Sequence, residues 1–299
     1  MNNNIRERKN VIVVLNYNDW EETQRYCMAV KDFTAVDMIV IVDNQSPDNS
    51  VEKLKPLLTY DKIKIVRALE NRGYAAGNNV GLQYIIDHKI KGNVIISNPD
   101  IYYNNEDLEK VLEPLSDSSI GISTGLIHTD GKITSNFGWM QPGYWELLFN
   151  QYLLLYKLKR LTHHSMYCDY PKEGDERVYC NCVSGCFFAM TTETLDQIGL
   201  FDERTFLYGE ENILGYKIKE NGQKTCVVVD ANIEHRQHHS IKKSKTSHKR
   251  NERWNVESML IYVKYYLKKG SFHQWLFKTS FWAAYYEKML MGKLSSLMH

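Results

Sequence analysis

Four short β-branched runs in the first hundred residues constrain this chain most, because three of them stop at a polar, turn-forming residue. They are Val11-Ile12-Val13-Val14-Leu15, Met38–Val42, Ile63–Ala68 and Asn93–Ser97. The first two runs are continuous, not alternating, as in strands buried on both faces of a parallel sheet. Helical patterns separate them. Asn18 with Glu21 reads as a capping-box start, and Ser50–Leu58 and Ala76–His88 read as helices. This alternation predicts an α/β fold, a mostly parallel central sheet with flanking helices. Ligands of such sheets bind beyond the carboxyl ends of the strands. The residues there are Asn16, Tyr17, Asp43, Asn71–Gly77 and Asn98-Pro99-Asp100.

The later chain carries weaker signals. Thr129-Asp130-Gly131-Lys132 predicts a hairpin turn. Residues 137–175 are rich in Tyr, Trp and Leu but give no clear elements. Val178–Met190 reads as one buried strand, Thr192–Ile198 as a helix closed by Gly199, and Phe201–Tyr208 as a loop. Glu210–Asn221 reads as a helix ended by Gly222, and Thr225–Val229 as a strand before His235. Two tail helices follow. The first has its apolar face at Val256, Met259, Leu260, Val263 and Leu267 and is closed by Gly270; the second starts at Ser271 with Gln274.

Charge divides the chain unevenly. The net charge of +1 excludes a strongly basic nucleic-acid binder, yet residues 241–299 hold 12 Lys and Arg against three Glu, a net +9 that leaves −8 for 1–240. The expected organisation is therefore a catalytic body over 1–240 and a basic, aromatic helical extension over 241–299. That extension carries 11 aromatic residues and suits an anionic membrane face, packing on the body, or a homodimer contact. The start of the chain does not read as a signal peptide, and no apolar run approaches the roughly 20 residues of a membrane span. A cytoplasmic protein, peripheral on the inner membrane face, is expected. Its six cysteines are expected to be free, buried thiols; Cys180, Cys182 and Cys186 lack paired zinc spacing.

Several groups could carry chemistry. Asp100 after a buried strand suits a hard cation on a diphosphate, or simply a turn. Asp43 could accept from a nucleobase N–H while Ser46 or Ser50 caps a helix. The small residues of Asn71–Asn79, with Arg72, suit phosphate at a helix start, or a plain turn. Glu210 and Glu211 could complement a helix dipole, or form a proton-abstracting pair whose mutual repulsion raises its pKa. His235, with His238 and His239 close by, could bind a metal or phosphate, or be structural.

Together these segments resemble glycosyltransferase family 2 enzymes of GT-A fold, particularly the bacterial rhamnosyltransferase-like branch. The matching stretches are Val11–Asn18, Val42–Ser50, Asn71–Gly81, Ser97–Asp100, Phe201–Glu203 with Tyr208–Glu211, and His235–Ser240, in the family's order. The resemblance implies an inverting hexosyl transfer in polysaccharide synthesis. The sugar would be rhamnose from dTDP-rhamnose or another sugar from a UDP donor, and the acceptor a hydroxyl of a glycan or lipid-linked molecule. It implies Glu211 as base with Glu210 beside it, and Asp43 reading a pyrimidine within the Asn16-Tyr17 pocket. Arg72, Gly73, Asn78 and Asn98 would line the nucleotide-sugar site, and Asp100 with His235 would hold Mn²⁺ or Mg²⁺. The chain departs from the family in two places. Asn98 stands where an Asp is usual, and Glu211-Asn212-Ile213 replaces a pattern with Asp at both ends. These departures leave a nucleotide-sugar-binding pseudoenzyme as the alternative. A nicotinamide oxidoreductase is disfavoured because no glycine fingerprint follows the first strand.

Overall fold

A computed structural model describes residues 8–152, 166–236 and 248–297. The four apolar runs form β1 (Lys9–Asn16), β2 (Met38–Asp43), β3 (Ile63–Arg67) and β4 (Gly92–Ser97), parallel to one another in the order β3-β2-β1-β4. Most of their apolar residues are buried, with Leu15, Met38, Ile65 and Val66 half-buried, and helices α1 (Trp20–Val30), α2 (Ser50–Leu54) and α3 (Tyr74–Asp87) form the crossovers between them. Asn16 lies in register with Asp43, which sets two polar strand ends side by side.

The sheet continues through β5 (Ile101–Tyr102), β6 (Ile120–Thr129), β7 (Lys132–Ile133), β9 (Arg177–Cys180), β11 (Phe187–Thr191) and β12 (Lys224–His235). β11 runs antiparallel between β4 and β6, while β12 is parallel to β6. A two-stranded sheet pairs β8 (Gly138–Trp139) with β10 (Cys182–Val183). Helices α4 (Asn105–Leu112), α5 (Tyr144–Asn150), α6 (Thr192–Ile198), α7 (Glu210–Glu220), α8 (His248–Ile261) and α9 (Ser271–Leu297) complete the described chain. The β6–β7 hairpin turns at Asp130 and Gly131, both with positive φ, as the sequence predicts. Gly199 and Gly222, both with positive φ, follow α6 and α7.

Local expectations fail where tertiary contacts win. Val178–Met190 is three strands in two sheets, broken where the turn at Ser184–Cys186 leaves β10 for β11. β12 extends to His235 through an irregularity between Val228 and Asn232. Asn18 does not cap α1; its backbone is left-handed and its N–H donates to Ser46 Oγ at 2.9 Å. The first tail helix ends in a π-helical turn over Tyr262–Tyr266, and Lys268, not Gly270, takes the left-handed conformation. Ser271 is the first residue of α9 and does not precede it. All six cysteines are free, five buried and Cys168 half-buried.

The tail is fastened to the body. Val256, Val263 and Phe277 pack with Tyr144 and Leu148 of α5. Tyr262 is buried and donates to Pro142 O, Tyr266 donates to Asp202 at 2.8 Å, and Ser258 donates to Leu207 O at 3.0 Å. Among the described residues, no helix is long and apolar enough to cross a membrane.

Candidate active site

The strand ends gather the predicted residues into two corners. At the first corner Asn16 Nδ2 donates to Asp43 Oδ1 at 2.9 Å and to Ser46 Oγ at 3.1 Å, while Asn16 Oδ1 accepts from Thr23. Asp43 is fully buried. Its Oδ2 accepts from Ser46 N–H and sits 3.5 Å from Arg67 Nε. Tyr17, next to Asn16 in the chain, is 51% exposed, and the Arg67 side chain, at the end of β3, is exposed beside this carboxylate. Sequence reasoning passed over Arg67, because a cation at a strand end looks like ordinary surface.

The structure places the 201–206 loop against the expected phosphate cradle at Arg72-Gly73. Gly73 has φ +100°, and a Cβ there would lie 2.0 Å from Phe206 O. Tyr74 N–H, at the start of α3, donates to the same carbonyl at 2.8 Å. Arg72 pairs with Glu203 at 2.9 Å and lies 3.6 Å from Glu70. The 201–206 loop therefore covers this helix start, and the glycine serves close packing. Asn78 is likewise buried; its Nδ2 donates to Tyr74 O at 3.0 Å, while its Oδ1 has no hydrogen-bond partner.

At the second corner Asp100 and His235 face each other, with Nε2 and Oδ2 3.4 Å apart. Burial, the largest influence, pulls the His235 pKa down, but hydrogen bonding to Asp100 and Cys186 prevails and lifts it to about 10. Asn98 is half-buried and its N–H donates to Cys186 O at 2.8 Å.

Glu210 and Glu211 open α7. Gly209, left-handed at φ +80°, turns the chain into the helix. Burial, then the neighbouring Glu211, pushes the Glu210 pKa up; Glu210 Oε1 has no hydrogen-bond partner. Burial also raises Glu211, opposed by hydrogen bonding from the backbone of Glu211 itself, Gly185 and Gly209. Two carboxylates in one low-dielectric site cannot both ionise cheaply, so one stays ready to take up a proton near neutral pH. Ile213 is buried and apolar, and the polar contacts pass to Asn212, which accepts from Trp139 Nε1 at 2.9 Å.

One turn joins the carboxylate pair to the second corner. Gly185 O accepts from Tyr74 Oη at 2.6 Å, and a Cβ on Gly185 would stand 3.1 Å from Glu211 Oε1. The next residue, Cys186, contacts both Asn98 and His235. No sequence motif announces this turn, because it lies inside what reads as a single strand. Beyond Glu211 opens a cavity of about 570 Å³, walled by Trp139, Tyr208, Met259, Phe281 and Tyr285 among others.

Among the described residues, no three His, Cys, Asp or Glu side chains form a metal cage. Asp100 is a carboxylate donor, and His235 joins it as a partial donor set once a cation displaces the proton on its ring. That suits a cation completed by diphosphate oxygens and water, as Mg²⁺ is usually held. His238 and His239 lie outside the described residues.

An α/β sheet with polar strand ends and a carboxylate pair at a helix start defines a class, and comparison with known proteins agrees. The chain belongs to glycosyl transferase family 2. That family's description matches residues 11–170, and "Glycosyltransferase like family 2" matches residues 104–256. Over 224 residues, 74% of the chain, it is 28% identical to "Low-salt glycan biosynthesis hexosyltransferase Agl10" of Haloferax volcanii; the match spans 65% of that relative's length. The crystal structure of GalNAc-T7 with UDP, GalNAc and Mn²⁺ superposes with a TM-score of 0.60 at 17% identity, over 86% of this chain and 48% of that one. The fold is that of the GT-A glycosyltransferases.

Proposed function

We propose that the protein is an inverting hexosyltransferase that moves a sugar from a pyrimidine nucleoside-diphosphate donor to a hydroxyl of a glycan or lipid-linked acceptor. The observation that carries this reading is the Gly185-Cys186 turn. It ties Asp100 and His235, where a leaving diphosphate would lie, to the Glu211 carboxylate, where an acceptor would lose its proton. The first corner supplies the base pocket: Tyr17 and Arg67 form its rim, and Asp43, held by Asn16, lies beneath to read the pyrimidine. The acceptor enters the cavity beside Glu211. Its oxygen attacks the anomeric carbon, Glu211 takes the hydroxyl proton, and the bond to the diphosphate breaks with its electron pair leaving on that group. A divalent cation, Mn²⁺ or Mg²⁺, held by Asp100 and His235 would neutralise charge on the departing diphosphate.

The motif pattern of the rhamnosyltransferase-like branch favours dTDP-rhamnose as donor. The hexosyltransferase relative and the UDP-bound fold neighbour fit a UDP-linked sugar equally well. The basic, aromatic tail would bring the enzyme to a membrane carrying a lipid-linked acceptor. A thermal-shift screen of dTDP-, UDP- and GDP-linked sugars, with and without Mn²⁺, tests the donor site. Stabilisation by one pyrimidine donor, enhanced by Mn²⁺ and reduced in Asp100→Asn, supports the reading. No response to any donor would contradict it.

A further inference from the structure

Helix α9 has two contrasting faces. Phe277, Ser280 and Ala284 are buried against the body. On the other side Phe272, Trp275, Thr279, Ala283, Tyr286 and Leu290 are all exposed. Their spacing of 3, 4, 4, 3 and 4 places them on one stripe, about 27 Å long at 1.5 Å per residue. The body extends the stripe. Trp145 of α5 stacks with Phe149 at 6.1 Å between ring centroids and meets His273 at 6.5 Å, and His273 meets Phe272 at 5.8 Å. Trp145, Phe149, Phe272, Trp275, Tyr286 and Leu290 are between 41 and 67% exposed, far more than a water-facing surface gains from such large apolar groups.

Charge selects the occupant. From Ser258 to the end, the sequence holds six Lys and one acid, Glu287. Lys264, Lys268, Lys278 and Lys288 are exposed. The acid on α5, Glu146, is half-buried and influences the buried Tyr262. Exposed Trp and Phe with basic and no free-standing acidic neighbours match the headgroup boundary of an anionic bilayer, where amphipathic rings sit at the interface and Lys meets lipid phosphate. A contact between two copies of the chain would set these lysines against one another.

We propose that α9, with Trp145 and Phe149 of α5, forms one membrane-interface surface that lays the protein on an anionic bilayer. Lys288 and Met289 are exposed and also wall the cavity beside Glu211, so this surface reaches the cavity rim. The surface stands on its own side chains and holds whichever sugar is transferred.

The test uses the full chain and sedimentation with vesicles of phosphatidylcholine containing about one third phosphatidylglycerol, against phosphatidylcholine alone. The wild type should pellet with the anionic vesicles, less so as salt rises, with a blue shift of its tryptophan emission. Phe272→Ala with Trp275→Ala should weaken binding about tenfold or more, and Trp145→Ala with Phe149→Ala should weaken it too. All four positions are exposed, and circular dichroism checks that the variants fold. Absence of wild-type binding at low salt, or wild-type binding by either folded variant, overturns the proposal. So does a stable dimer in gel filtration that the same substitutions dissociate.

Discussion

At the residue scale, Glu210 is the costlier of two adjacent carboxylates. Its pKa is raised by burial and by Glu211, and one of its oxygens has no hydrogen-bond partner. Because the folded-state pKa lies above the unfolded value of about 4.3, the folded protein loses stability as pH rises from that value through the folded pKa. Glu210→Gln removes this loss. Its melting temperature should match the wild type near pH 4 and exceed it increasingly toward pH 8, as followed by calorimetry. The adjacency of the two acids is visible in the sequence, but the enclosure of the pair depends on Tyr74 and Gly185, contributed by two distant parts of the chain. Asp43 shows the same limit. Its position at a strand end was legible, whereas its enclosure by Asn16, Ser46 and Arg67 needed the parallel register.

At the scale of elements, the parallel strands β1 to β4 were legible because β-branched runs flanked by turn residues have few other solutions. The segment from Arg177 to Thr191 was not, since Asn181 and Ser184-Gly185, which mark its breaks, are short interruptions in an otherwise strand-like run. The start of α3 carries a sharp prediction. Gly73→Ala puts a methyl group into the Phe206 carbonyl at a positive φ, and should cost on the order of 1–3 kcal/mol of stability, read by denaturant unfolding. If Gly73 instead served chiefly a phosphate, the variant would keep its stability and lose only donor affinity. Tyr262→Phe removes the hydrogen bond to Pro142 O from the buried joint between tail and body and should cost about 1 kcal/mol.

At the scale of the whole molecule, the charge split between 1–240 and 241–299 marks two roles but not two separable bodies. Helices α8 and α9 wall the cavity on which Glu211 opens, with Met259, Phe281 and Tyr285 among its lining. On the proposed function, the tail would build the acceptor side of the site and the strand ends the donor side. Tyr285→Ala should raise the acceptor KM while leaving the donor dissociation constant unchanged, as measured by transfer kinetics and calorimetric titration. Composition marked the tail as distinct. That it packs on the body and walls the cavity beside Glu211 followed only from long-range contacts such as Tyr144 to Phe277 and Tyr266 to Asp202.

The central claim is that Glu211 abstracts the proton of the attacking oxygen, and water can stand in for the acceptor. The direct measurement is release of nucleoside diphosphate from dTDP- and UDP-linked sugars by the full chain and by Glu211→Gln. General-base catalysis contributes about 10²–10⁴-fold, so the variant should release nucleoside diphosphate slower by that factor while binding donor as the wild type does. A Glu211→Gln protein that turns over donor at the wild-type rate would contradict the account.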